Sequence, residues 1–346
     1  MLADRMLGLP TQATAELERS LKEFVSARDL PLYRIMSFQL GWEDENGEPV
    51  TASPPERLYG LVAMATAQAA SGDYRPAVEY GVSLELLNNF WQMHGDVEDG
   101  NTERYGRPSV WWTWGPAQAI NAGDGMHAMA RLSLFRLREA GIPPERVAAA
   151  VRALDEATLR LCEGEYLDIS YQERLTVTVD SYLAMAHSRN GSLLGCAAQL
   201  GALASLGETS EIPARLVEFG EKLGTARQIS ADLNALWKEG DRDQVQQGRL
   251  IAKKKSLPVV HAMNHAEPGA KRKLGELYMR RVLDPAALGD VAALLETSGS
   301  KDFTINTLDS LLSQADRALE SSGLPSDGVD LLKEAARAVV ALEARA

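Results

Sequence analysis

"LELLNNFWQMHGDVEDGNTERYGRP", residues 84–108, begins as one kind of text and ends as another. Leu86, Leu87, Phe90 and Met93 recur at helical spacing and form one apolar stripe. Charge then replaces apolarity: Asp96, Glu98 and Asp99, followed by Arg104 and Gly-Arg-Pro. Aspartates three residues apart lie on one helix face. Such a pair with an arginine beyond it suits an anion held through a hard metal ion. Gly95 stands where one more acid would complete the set. The stretch therefore predicts a helix that ends at a charged site.

The text around it is also helical. "ATAELERSLKEFV" (13–25) is amphipathic, and "LYGLVAMATAQAA" (58–70) is apolar on most sides, which predicts a central helix. Residues 115–141 are long and rich in Ala and Met. "PPERV" opens the next helix with prolines at positions a helix accepts, and Asp180 reads as the cap of another. Residues 213–240 and three amphipathic segments beyond 269 follow. The one β-like run, "LTVTV" (175–179), is too short to seed a sheet, and the polar stretch 240–252 reads as a linker. The expectation is an all-α chain: a single domain over residues 1–346, built as a large orthogonal helical bundle.

Composition narrows the partners. A net charge of −12 over 346 residues argues against nucleic acid, which needs clustered bases. No apolar run is long enough for a transmembrane segment, and the N-terminus lacks the order of a signal peptide. Cys162 and Cys196 both sit in apolar helical text and read as buried free thiols, which suits a cytoplasmic protein.

Four pieces in order resemble the trans-type polyprenyl (isoprenyl) diphosphate synthases. They are the opening stretch, "AQAINAGDGMHAMA", "CEGEYLDIS" with "DSYLAMAHSRNGSLLGCAAQLG", and "EKLGTARQISADLNALWKEGD" leading to "KKKSLPVV". The resemblance covers roughly residues 50–262. It implies an isoprenoid-synthase-type bundle around a central cavity, a homodimer, and a reaction that begins when an allylic diphosphate loses pyrophosphate. Mg²⁺ and cationic side chains hold that leaving group.

Carried over residue by residue, the resemblance puts leaving-group contacts on Arg104, Arg189 and Lys255. It puts metal ligands on Asp96, Asp99 and Asp232, with Glu98 as an added acid. The family's other metal-binding aspartates fall on Gly95, Ala231 and Ala235. Gln228 is kept, and Glu165 replaces a glutamine beside the allylic chain. Phe90 and Trp91 fall where bulky side chains floor the prenyl tunnel. A pocket shortened there takes a tail of about three or four isoprene units. Each residue also has a plainer reading: a solvated acidic helix end, a surface lysine run at 253–255, ordinary packing of Phe90, Trp91 and the tryptophans at 111, 112 and 114.

The contacts to the second, homoallylic diphosphate fall on Glu56, Tyr59, Asn88 and Tyr105. Three cations have become one carboxylate and two phenols. At about 1.5–3 kcal/mol per lost charged hydrogen bond, ordinary isopentenyl diphosphate binding is not expected. The resemblance then implies a terpene synthase-like enzyme that ionises one prenyl diphosphate of about C15–C20, with a weakened Mg²⁺ site. The alternatives are a non-catalytic or regulatory subunit of a prenyl diphosphate synthase, and a trans-prenyltransferase with an altered acceptor.

Overall fold

A computed structural model describes residues 7–51, 55–174, 176–206, 212–238, 244–279 and 285–343. Helices α1 (Ala13–Ser26), α2 (Pro31–Gln39), α3 (Leu58–Ser71) and α4 (Val78–Asp99) come first. A hairpin of β1 (Glu103–Arg104) and β2 (Arg107–Pro108) follows. After it come α5 (Val110–Trp114), α6 (Pro116–Leu134), α7 (Arg136–Glu139) and α8 (Pro144–Tyr171). Then α9 (Val179–Ala186) runs through a π-helical turn (His187–Gly191) into α10 (Ser192–Leu206) and α11 (Ile212–Trp237). The series closes with α12 (Gln244–Ile251), α13 (Leu257–His265), α14 (Pro268–Met279), α15 (Pro285–Thr297), α16 (Ser300–Glu320) and α17 (Ser326–Glu343). The fold is all-α.

The apolar text of 58–71 does what an all-round apolar helix must: it goes to the centre. Its residues from Leu58 to Ala67 are all buried, and α4, α10 and α17 pack around it. Close approach to α10 requires Gly201, because a Cβ there would lie 2.2 Å from the carbonyl oxygen of Ala63. α4 lies against both α3 and α6 and ends at Gly100, whose φ of 68° closes the helix in the left-handed region. No helix among the described residues is long and apolar enough to cross a membrane.

The β-like run seeds no sheet, as its length led one to expect: residues 176–178 are irregular and Val179 opens α9, while Leu175 lies outside the described residues. Three local expectations need correction. The cap of α9 is Thr178, not Asp180; its hydroxyl accepts the backbone N–H of Ser181. The segment read as a linker includes helix α12, with residues 239–243 outside the described residues. Among the described residues the strands are β1 and β2, joined by Tyr105 (φ 53°) and Gly106 (φ 69°). Two positive-φ residues match the twist of a two-residue hairpin. Cys196 is buried, but Cys162 is exposed on α8.

Candidate active site

α4 packs on α8, and Asp99 at its charged end meets Arg249 of α12 and Lys254 just after it. The hairpin folds Arg104 back onto the helix it follows. Its Nε donates to Asp96 Oδ2 at 2.9 Å and its Nη2 to Oδ1 at 2.6 Å, a two-point grip on a buried carboxylate. Burial pushes the Asp96 carboxyl up, against the pull of Arg104.

The π turn places Arg189. It is wedged between two helices that have no side chain at the contact: a Cβ on Gly164 of α8 would lie 2.4 Å from Arg189 N, and one on Gly224 of α11 would lie 2.2 Å from Asn190 O. Pinned there, Arg189 donates through Nε to Glu165 Oε2 at 2.6 Å and through Nη1 to Gln228 Oε1 at 3.1 Å. Its guanidinium carbon lies 5.0 Å from the Trp91 ring centre, and Trp91 Nε1 donates to the same Glu165 oxygen at 3.1 Å.

Asp168 lies one turn beyond Glu165 on α8 and is fully buried. Lys254 Nζ lies 2.9 Å from Asp168 Oδ2, 2.9 Å from Asp99 Oδ1 and 3.5 Å from Glu165 Oε1. Arg249 Nη2 donates to both Asp168 oxygens, at 3.2 and 3.0 Å, and Nη1 to Asp99 Oδ2 at 3.4 Å. Burial opposes ionisation of Asp168, but Arg249, Arg189 and Lys254 outweigh it and hold the carboxyl well below the usual carboxylate range. Glu165 is lowered by the same contest, with Arg189 its foremost partner. Arg189, Arg249 and Lys254 thus face Asp99, Glu165 and Asp168 as a closed set of three positive and three negative charges.

Asp232 is buried on α11 and spoken for. It accepts the Tyr182 hydroxyl, Gln228 Nε2 at 3.0 Å and Leu257 N at 2.8 Å, so it caps the start of α13. Burial raises its pKa to about 6 against those donors. Ala231 and Ala235 are buried, the latter in an apolar cluster with Leu250 and Val259. Glu98 stands at the exposed rim; partial enclosure of its carboxyl, with Glu165 and Asp99 near, raises it to about 7.

Among the described residues no three His, Cys, Asp or Glu side chains gather to hold a metal ion. The partners explain it: Arg104 spans Asp96, Lys254 and Arg249 span Asp99, and three donors fill Asp232. Asp96, Glu98, Asp99 and Asp232 do not fit a ready-made magnesium site.

Of the residues picked from the sequence, Asp99, Glu165, Arg189, Gln228, Asp232 and Trp91 share one connected set. Lys255 does not join it: its ammonium lies over the Tyr278 ring at 5.3 Å, and Lys254 takes the inward position. Lys253, at φ 61°, puts a left-handed turn immediately before Lys254. Phe90 turns toward α6, stacked on His127 at 4.9 Å. Asp168 and Arg249 were missed. Asp168 had a signal, its i, i+3 spacing from Glu165; Arg249, in the polar text "QQGRLIAKKK", had none. Two of the second-substrate positions, Asn88 and Tyr105, are joined through Gln92, whose Nε2 donates to Asn88 Oδ1 at 3.3 Å and to the Tyr105 hydroxyl at 3.0 Å. Arg57, between Glu56 and Tyr59, is bound to Glu18 at 2.8 Å and to the Leu40 carbonyl.

The polyprenyl synthetase family pattern matches residues 46–296. The chain belongs to the polyprenyl synthetase family. This family's (2E,6E)-farnesyl diphosphate synthase from Mycobacterium tuberculosis is 31% identical over 286 residues, covering 82% of this chain and 78% of that protein. The geranylgeranyl diphosphate synthase of the same organism is 33% identical over 324 residues, covering 92% and 89%. The crystal structure of a polyprenyl synthetase from Streptomyces coelicolor A3(2) superposes with a TM-score of 0.82 at 30% identity, covering 94% of this chain and 99% of that one. These polyprenyl synthetase relatives are enzymes, and the isoprenoid-synthase bundle is the fold they share with this chain.

Proposed function

We propose that this polyprenyl synthetase family member ionises a single allylic prenyl diphosphate, of about three or four isoprene units, and does not condense it with isopentenyl diphosphate. The carbon–oxygen bond to the diphosphate breaks, its electron pair leaves with pyrophosphate, and the allylic cation loses a proton or takes up water. The observation that carries this reading is the one-sided distribution of cations. Arg189, Arg249 and Lys254 cluster at the ends of α4 and α8, with Arg104 beside them. The positions matched to a second diphosphate present Glu56, Tyr59, Asn88 and Tyr105. In binding, the cations exchange carboxylate oxygens for phosphate oxygens.

A second reading, a non-catalytic subunit of a prenyl diphosphate synthase, is favoured by one observation: Arg189, Arg249 and Lys254 are already balanced by carboxylates. A third reading is prenyl transfer: the relatives' names, farnesyl and geranylgeranyl diphosphate synthase, favour transfer as such, and Glu56, Tyr59 and Tyr105 favour an acceptor other than a diphosphate. One experiment tests the first reading against the other two. The purified protein is given geranyl, farnesyl and geranylgeranyl diphosphates, with and without isopentenyl diphosphate and Mg²⁺. Pyrophosphate release with hydrocarbon or alcohol products supports the first reading. Chain extension overturns it, and no release with any substrate overturns it in favour of the subunit or the altered-acceptor reading.

We read the chain as a homodimer through the outer face of α8. Leu159, Tyr166 and Ile169 are exposed there, one to two turns apart. A groove of about 700 Å³ lined by Phe135, Val147 and Val151 continues that face toward α7.

A further inference from the structure

The family resemblance calls for magnesium between two acidic helices, and the residues present do not fit it. The carboxylates that face each other here are Asp99 at the end of α4 and Asp168 on α8. What lies between them is already cationic. Arg249 touches both, and so does Lys254. Both cations are buried, and neither side chain reaches in by accident. Arg249 comes from α12, which packs on the β1 hairpin and so on the end of α4; a Cβ on Gly248 would lie 3.0 Å from Asn101 Oδ1. Lys254 is aimed by the left-handed turn at Lys253, and the Lys254 N–H donates to the Arg249 carbonyl at 2.9 Å, which ties the two together.

We propose that Arg249, with Lys254, occupies the bridging role of a divalent cation, so that this site holds its facing carboxylates together and meets an anionic ligand without binding a metal. A divalent ion bound to Asp99 or Asp168 would lie within a few ångströms of two fixed positive charges, and like charges at that distance repel strongly. A guanidinium is not titrated away, so the positive charge between the carboxylates persists across the ordinary pH range. Exclusion of a metal by these cations does not depend on which anionic ligand the site takes.

Manganese(II), visible by electron spin resonance, tests it on the free protein, with inorganic pyrophosphate calorimetry in EDTA or Mg²⁺ alongside. The wild type is expected to leave manganese unbound through the low millimolar range. Arg249→Gln, which removes the charge and keeps a polar head, is expected to bind it about tenfold tighter or better. Arg249→Lys is expected to behave as wild type. Wild-type pyrophosphate affinity is expected to agree in EDTA and in Mg²⁺ within about twofold. Tight manganese binding by the wild type overturns the proposal without any variant, as does pyrophosphate binding that requires Mg²⁺. If Arg249→Gln does not fold, Lys254→Gln carries the same comparison, and no gain in manganese binding in the folded variant also overturns it. Absence of pyrophosphate binding under both conditions sinks the prenyl diphosphate reading instead, and the manganese result still decides this one.

Discussion

Arg249 and Asp168, 81 residues apart in sequence, are joined by a buried two-point contact: Nη2 of the arginine donates to both oxygens of the aspartate. The pair ties α12 to α8. Lys254 and Arg189 are drawn to the same carboxylate, so removing that one acid affects three cations.

Asp168→Asn should therefore destabilise the protein by about 3–5 kcal/mol, the cost of leaving buried charge without its partner. The aspartate's pKa is depressed, so its contribution is present above the usual value of 3.8 and is lost as pH falls below it. Urea unfolding from pH 7 down to pH 3 should show the gap between wild type and variant narrowing at the acid end. A gap that stays constant contradicts this assignment.

Glu85 gives the opposite pH dependence. It is fully buried on α4, accepts the Gly60 N–H at 2.9 Å, and burial raises its pKa from 4.5 to about 7. A raised carboxyl binds more protons folded than unfolded, so stability falls as pH rises from 4.5 to about 7. The total is about 3 kcal/mol. Glu85→Gln should flatten that slope and melt higher than wild type at pH 8; parallel melting curves for the two proteins would refute it.

Arg104 and Asp96 should behave as a coupled pair. Arg104→Met leaves Asp96 buried and unpaired, at a cost of about 3–5 kcal/mol. Adding Asp96→Asn should restore more than half of that loss. If the double variant is as unstable as the sum of the single ones, the two residues do not act together. Should the enzyme reading hold, Arg104→Met also slows pyrophosphate release by about 2–4 kcal/mol of transition-state stabilisation.

Gly95 lies in open space: a Cβ there meets nothing within 4 Å. Gly95→Asp should fold normally and gain a few tenths of a kcal/mol in helix propensity. Alone it should confer no manganese binding, since Arg249 and Lys254 still hold Asp99. Combined with Arg249→Gln it should bind more tightly than Arg249→Gln alone, as read by electron spin resonance.

The outer face of α8 is tested by charge. Leu159→Arg together with Tyr166→Arg should shift the protein from dimer to monomer in sedimentation velocity with little change in melting temperature, because both side chains are exposed in the single chain. A wild-type monomer contradicts the dimer reading directly.

The helices were legible in the sequence because apolar periodicity is a local property, and the central position of 58–71 followed from its lack of a polar face. The order of charged pieces was enough for the family. Gly95, Ala231 and Ala235, at the positions the resemblance gives to acids, are what raised the expectation of a weakened metal site. Which lysine of the 253–255 run points inward was not legible, because a single positive-φ residue decides it and three identical side chains give no clue. Nor was the partner of each acid. Asp168 and Arg249 meet only when α8, α12 and the end of α4 are packed together, and a buried charge takes its meaning from what the fold brings within 3 or 4 Å of it. The sequence by itself determined the bundle and the family; the tertiary structure decided that side-chain cations fill the space between Asp99 and Asp168.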